Sequence, residues 1–284
     1  MMLIMNLKSV MRKLLPPIVL DVYRQSRSAY RTGLMWTGTV YSHYRDVPSE
    51  GKAFESNEWI NSRAELTKTF HERLASEPIP VSTGFRYSSL ALLGSVILQN
   101  QKRLRILDFG GAMGFAYPIV LKSLGDPSAI EYIVVDNQAS CKKGTTIFEG
   151  DHRIRFLSSL DKNIGKIDII FVSGVLQYIE EYGGVLQHLT TFKPTYFLFT
   201  CLSAGGIQTF ASGQRNLKGS VFPSWFLNAK DLIRQMAECG YEVMFRVSNE
   251  LEDQIDMSNF RDEFRLSHMS NFLFCKKRSR MMES

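Results

Sequence analysis

From Arg103 onward the chain alternates short, uninterrupted apolar runs with stretches of helical periodicity, and this pattern limits its fold more than any other feature. The runs cover 104–109, 132–135, 154–157, 167–172 and 196–199, and helical stretches open near Gly114, Ser140, Tyr182 and Asn228. A strand with one wet face alternates apolar and polar residues. A run that is apolar throughout is buried on both faces, and such strands separated by helices make a parallel, doubly wound α/β sheet. The close differs: residues 241–247 and 271–276 read as two strands with no clear helix between them, so the sheet is expected to finish in an antiparallel hairpin. At 284 residues the chain has room for one large α/β domain with an appendage.

The first run ends in Asp108-Phe109-Gly110-Gly111-Ala112-Met113-Gly114, an acid followed by a glycine-rich turn into a helix. Glycines permit positive φ and close approach of the backbone to a nucleoside, and a helix start offers free N–H groups. Asp108 is expected to accept a hydrogen bond from a cofactor's ammonium group, directly or through water, a bond typically worth about 1.5 to 3 kcal/mol. The next strand ends at Asp136, where a carboxylate can accept from both hydroxyls of a ribose. The plainer alternative for Asp136 is a helix N-cap before Ala139 and Ser140. The spacing G-G-x-x-G is not the nicotinamide G-x-G-x-x-G, no second nucleotide-binding half follows, and no G-K-[ST] makes a phosphate loop. These residues favour S-adenosylmethionine (SAM) over a dinucleotide. Ser158 and Ser159 fall where the adenine edge would lie. Ser173 falls near the methionine end, with Gln177 and Tyr178 expected toward the opening.

The string Ile106-Leu107-Asp108-Phe109-Gly110-Gly111, then Val134-Val135-Asp136, then Ser173-Gly174-Val175-Leu176-Gln177-Tyr178-Ile179, resembles a family of SAM-dependent methyltransferases found among bacterial surface-polysaccharide genes. The similarity continues in Gln208, in Phe222-Pro223-Ser224-Trp225-Phe226-Leu227, in Cys239-Gly240-Tyr241-Glu242 and in Asn271-Phe272-Leu273-Phe274. Upstream, Trp36-Thr37-Gly38 with Tyr41 looks like that family's entry motif, so the resemblance spans most of 36–277. It implies a Rossmann-like class I methyltransferase sheet, SAM as cofactor, and modification of a sugar or sugar-linked intermediate of a surface polysaccharide. The family more often carries Glu where this chain has Asp136; the shorter acid leaves room for a bridging water at the ribose.

Three segments are expected: a basic amphipathic arm over 1–31, a helical cap over 32–100 and a SAM-binding methyltransferase domain over 101–278. In the arm, Leu3, Leu7, Val10, Met11, Leu14 and Leu15 share a helical stripe, with Lys8, Arg12 and Lys13 off it, until Pro16-Pro17 stops the helix. Such an arm packs on its own domain or a second subunit, or docks peripherally on an anionic membrane. Helical patterns over 57–74 and 87–98 read as helices that precede the sheet and cap its open edge.

The net charge of +6 is concentrated at the two ends, in six basic residues against Asp21 over 1–31 and in Lys276, Lys277, Arg278 and Arg280 against Glu283. The body between is slightly acidic, which argues against a nucleic-acid partner. Cys141, Cys201, Cys239 and Cys275 are widely spaced, so neither a metal site nor a disulfide framework is indicated and a cytoplasmic location fits. The start lacks the basic region of a secretory signal, and no run reaches the roughly 20 apolar residues of a membrane span.

Methyl transfer needs an acceptor atom in line with the sulfonium methyl, and an alcohol acceptor also needs a base. None of His43, His71, His152, His188 and His268 falls at a cofactor strand end. Gln177 and Tyr178 are the catalytic candidates, with Gln208 and Arg215 from the glycine-rich, polar stretch 203–225, which reads as a lid loop or a plain surface connection. Trp225 reads as a core anchor or a sugar platform. Two alternatives stand beside methyl transfer. One is a non-catalytic SAM-fold scaffold in polysaccharide assembly, kept open by the missing base. The other is a nicotinamide-dependent sugar-nucleotide oxidoreductase, opposed by the lack of a Tyr-x-x-x-Lys pair.

Overall fold

A computed structural model describes residues 35–50, 53–160, 164–215, 220–248 and 255–277; the arm over 1–31 lies outside the described residues. Strands β1 (Leu104–Phe109), β2 (Ile130–Val135), β3 (Ile154–Leu157), β4 (Ile169–Ser173) and β5 (Tyr196–Leu202) are mutually parallel. With two later strands they form a seven-stranded sheet, and the strands numbered in chain order lie as β3-β2-β1-β4-β5-β10-β9. Here β9 is Tyr241–Ser248 and β10, Ser270–Lys276, runs antiparallel to both β5 and β9. Five parallel strands, with β10 inserted antiparallel beside the fifth, make the Rossmann-like sheet with the antiparallel close expected from the sequence.

The apolar runs have the cause expected of them. Ile106, Tyr132, Val134, Ile169 and Phe171 pack on one face of the sheet, and Leu107, Ile133, Val135, Ile170 and Val172 on the other. Helices α5 (Tyr182–Thr190) and α6 (Ala229–Glu238) cover the second face through Leu186, Leu189, Leu232 and Met236. The first face takes α2 (Val81–Asn100) and α3 (Tyr117–Ser123) through Leu90, Tyr117 and Val120. Helix α1 (Asn57–Leu74) starts on Ser56, whose side chain accepts from Trp59 N–H. It lies across α3 and α4 (Gln138–Ile147), with Ile60 and Ala64 against Met113, and Phe70 and Leu74 against Ile119.

Three expectations change. Helices α1 and α2 lie over one face of the sheet, on the helix layer, and do not cap its open edge, because their buried residues meet α3 and the glycine-rich turn. The segment 32–100 is helical only in part: ahead of α1, which starts at Asn57 as expected, the chain makes isolated bridges at Trp36, Tyr41 and Glu50 and two 3-10 turns, Tyr44–Asp46 and Ala53–Glu55. The polar stretch 203–225 is no lid loop. It contributes β6 (Ala204–Gly205), β7 (Phe210–Arg215) and the start of β8 (Val221–Asn228), a second sheet in the order β6-β8-β7. The extended segment binds its margins, with Thr37 N–H donating to Gly213 C=O at 2.9 Å, Tyr41 exchanging bonds with Ala211, and Glu50 with Val221. Small polar residues in β7 carry no strand signal by themselves; the strand is made by partners on both sides.

Candidate functional site

The carboxyl ends of β1, β2, β3 and β4 are neighbours, so the turns that follow them share one crevice. After β1 the turn needs its glycines: Gly110 and Gly114 sit at φ +73 and +79, and a Cβ on Gly110 would stand 2.5 Å from Val175. A Cβ on Gly111 would stand 2.4 Å from Asp108 Oδ2, so the acid lies directly under the turn. Asp108 is 2% exposed and accepts from Tyr132 Oη at 2.8 Å. Burial pushes its carboxyl up to about 7, the Tyr132 bond opposes the shift, and the nearby Asp136 charge adds to it.

Asp136 closes the turn from the neighbouring strand. Its Oδ2 accepts from Ala112 N–H at 2.8 Å, and its Oδ1 accepts from Asn137 N–H at 2.7 Å and from Asn137 Nδ2 at 2.8 Å. Burial raises its pKa, and the backbone N–H groups of Asn137 and Ala112 pull against that rise. The N-cap of α4 is Asn137, which accepts from Ser140 N–H at 3.0 Å, so the capping alternative for Asp136 is corrected to its neighbour. Asp136 is thereby left to the crevice and the turn. Ser158 and Ser159 are exposed beyond β3, and Ser173 Oγ, at the end of β4, accepts from Thr200 Oγ1 at 2.9 Å.

Gln177 and Tyr178 do not face the opening. Both lie in the single 3-10 turn Leu176–Tyr178, which β8 packs against. Gln177 is 1% exposed and its Nε2 donates to Cys201 C=O at 3.2 Å. The Tyr178 ring lies 4.9 Å from Phe54 and 5.6 Å from Phe222, and Phe54 in turn meets Trp59 at 5.5 Å. Burial lifts the Tyr178 hydroxyl to about 12, with the Gln214 and Gln177 side chains beside it acting the other way. At neutral pH this phenol is a hydrogen-bond donor and not a base.

Trp225 is an anchor. It packs between Tyr44 at 5.4 Å and Tyr182 at 6.2 Å, and its Nε1 donates to Glu180 C=O at 3.2 Å. Gln208 is exposed, and exposed Arg215 reaches back with Nη1 to Trp36 C=O at 3.2 Å. His43, His152 and His188 are exposed, and His71 lies on Phe148 at 4.7 Å, where burial lowers its pKa. Several residues that shape this end carried no signal in the sequence. Tyr44 donates to Tyr178 C=O at 2.8 Å and Pro223 C=O at 3.0 Å, and Ser212 and Gln214 are buried polar residues of the second sheet.

No protein-family model matches the chain, and no curated protein matches it in sequence. Solved structures align with much of its length. The CcbJ methyltransferase from Streptomyces caelestis aligns at 12% identity over 74% of this chain and 96% of its own, with a TM-score of 0.47. The 1,6-didemethyltoxoflavin-N1-methyltransferase of Burkholderia thailandensis, solved with its substrate and S-adenosylhomocysteine, aligns at 11% over 82% of this chain and 95% of its own, TM-score 0.47. The magnesium protoporphyrin IX methyltransferase of Synechocystis PCC 6803, solved with SAM, aligns at 12% over 79% and 93%, TM-score 0.45.

Proposed function

We propose that this chain is a SAM-dependent methyltransferase acting on a sugar or sugar-linked intermediate of a bacterial surface polysaccharide. The observation that carries the cofactor is the pairing of the glycine turn after β1 with Asp136 at the end of β2, its carboxylate bonded to the turn's own Ala112 N–H at 2.8 Å. The donor set suits SAM. Asp136 has acceptor capacity left for a ribose hydroxyl, and Ser158 lies one strand further on, at the adenine end. Gly110 lets the backbone pass without a Cβ, and Ser173 lies toward the methionine end. The cofactor supplies an electrophilic methyl group. The chain's own contribution is to fix the turn and to shield the crevice with Phe54 and Trp59, with Gln177 and Tyr178 packed beneath β8 as its floor. With Tyr178 protonated and no histidine among the crevice residues, positioning carries more of the reaction than proton removal. The sugar-linked acceptor is supported by the motif resemblance over 36–277.

Calorimetric titration of the purified protein with S-adenosylhomocysteine, with NAD as control, tests the cofactor. Micromolar binding of the homocysteine compound alone is expected; NAD binding would replace methyl transfer with oxidoreduction. Among the described residues no helix is long and apolar enough to cross a membrane. The basic arm is read as packing on its own domain or a second subunit, or as a peripheral contact with anionic lipid; for the lipid reading, removal of residues 1–31 is expected to reduce pelleting with anionic vesicles and to leave cofactor affinity unchanged, and equal pelleting removes it.

A further inference from the structure

The first face of the sheet is covered unevenly. Helix α2 lies over β1 and β4: a Cβ on Gly94 would stand 2.9 Å from Leu104, and the Tyr87 ring lies 6.2 Å from Phe171. From β4 the sheet continues through β5 and β10 to its edge at β9, three strand spacings or about 14 Å further. Opposed residues of an antiparallel pair share a face, so Leu198, Leu273 and Phe245 form one row across these strands. Leu198 and Leu273 belong to the first-face core, and Val247, two residues on from Phe245, follows on the same side. Phe245 and Val247 are nevertheless 39% and 49% exposed, and the helix packed against β9 is α6, on the second face. Helix α2 is also open on its outer side, where Leu92 and Val96, one turn apart, are 68% and 48% exposed. It holds a single charged residue, Arg86, among its 20, and a helix so apolar is ordinarily covered on both sides. The strip between α2 and the sheet edge has the width of one helix, about 10 Å.

The chain itself supplies an occupant. Residues 1–34 lie outside the described residues, and their sequence carries the apolar stripe Leu3, Leu7, Val10, Met11 and Leu14. A helix from Leu3 to Leu15 would be about 20 Å long, enough to run along the exposed part of β9. The described chain starts close by. Met35 C=O accepts from Arg215 N–H at 2.7 Å, and Met35 packs on the cluster that holds Ile255 and Met257, from the connection between β9 and β10. The tether from Pro16 to Leu34 reaches up to about 60 Å when extended, so it does not limit the approach.

Charge agrees with the fit. Lys8, Arg12 and Lys13 flank the apolar stripe. On its first face β9 carries Glu242, opposite Cys275, and no base, because Arg246 lies opposite Phe272 on the second face with its guanidinium 5.6 Å from that ring. Beyond the far end of β9, Asp256 is exposed beside Ile255, whose N–H donates to Ser267 C=O at 3.1 Å. An acid therefore stands at each end of an apolar row.

We propose that residues 3–15 dock as a helix on the first face of β10 and β9, beside α2, with their apolar stripe on Phe245 and Val247 and their basic residues toward Glu242 and Asp256. This selects packing on its own domain from the readings of the arm and extends the helix layer to the edge of the sheet. The contact is independent of methyl transfer, so failure of S-adenosylhomocysteine to bind leaves it standing.

The test uses the full chain with the photoreactive p-benzoylphenylalanine placed at Phe245, and at exposed Lys230 on α6 as a control. An equal mixture of unlabelled and heavy-isotope-labelled protein is irradiated, and the adducts are mapped by mass spectrometry. Adducts from position 245 to residues 3–15 of the same chain are expected, with none from position 230. The double variant Leu7→Glu, Leu14→Glu is expected to lower their yield at least about tenfold, since two leucines no longer leave water at the contact. Hydrogen exchange supplies a second readout: the β9 amides are expected to exchange severalfold faster in that variant, with those of β1 unchanged. Adducts that join light to heavy chains would overturn the proposal in favour of a second copy on this face. Absence of arm adducts, or a yield and exchange rate that the double variant does not alter, would overturn it as well.

Discussion

At the β1–β2 end of the crevice the protein satisfies its own carboxylates, one buried and one half-buried: Tyr132 donates to Asp108, and the amides of Ala112 and Asn137 donate to Asp136. At the β7–β8 end, Gln177 and Gln214 are nearly as buried, yet each leaves its amide oxygen without a partner. The first end is organised before any ligand arrives. The second leaves two buried acceptors unpaired, at a cost to its stability.

The contrast can be broken most decisively at Asp136. Asp136→Ala is expected to lower affinity for S-adenosylhomocysteine on the order of 10- to 100-fold, from one charge-assisted ribose hydrogen bond of about 1.5 to 3 kcal/mol. Unchanged affinity by calorimetry would reduce Asp136 to a brace for the turn. Next comes Gly111→Ala, whose Cβ would be driven onto the Asp108 carboxylate; urea unfolding should show a loss of about 1 to 3 kcal/mol. Tyr132→Phe strips Asp108 of its donor and should cost a similar or smaller amount, about 1 to 3 kcal/mol.

Asp108 also sets a pH dependence. Its carboxyl is raised from an ordinary 3.8 to about 7, so the folded state binds the proton more tightly than the unfolded chain. Its contribution to stability is therefore complete below pH 3.8 and is lost as pH rises through 7. Unfolding free energies measured across this window should decline, and Asp108→Asn should flatten that decline; an unaltered slope would assign it to other groups. The smallest effect sharpens the comparison from outside both ends. The Arg45–Glu180 pair is exposed at the rim, and Arg45→Ala is expected to leave Tm and ligand binding unchanged.

Much of the cofactor end was legible in the chain itself. Asp108, Gly110, Gly111, Gly114 and Asp136 follow one another within a single strand-turn-helix-strand unit, so local spacing is enough to bring them together. Gln177 and Tyr178 were recognisable as residues after β4, but their direction was not, because β8 and Phe54 come from distant parts of the chain and fold over them. Stretch 203–225 misled for the same reason. Phe210-Ala211-Ser212-Gly213-Gln214 has the composition of a loop and is a buried strand only because β8 and residues 36–41 bond to it from either side.

The sequence alone determined the parallel sheet with its antiparallel close, since strands buried on both faces must be apolar throughout, and it determined the glycine turn with its two acids, since that chemistry is local. Only the tertiary structure decided which acid braces the turn from beneath, that Asn137 and not Asp136 caps α4, and that Gln177 and Gln214 are buried beside Tyr178. Those outcomes depend on contacts between residues far apart in sequence, and burial and pairing are settled only once the chain has closed on itself.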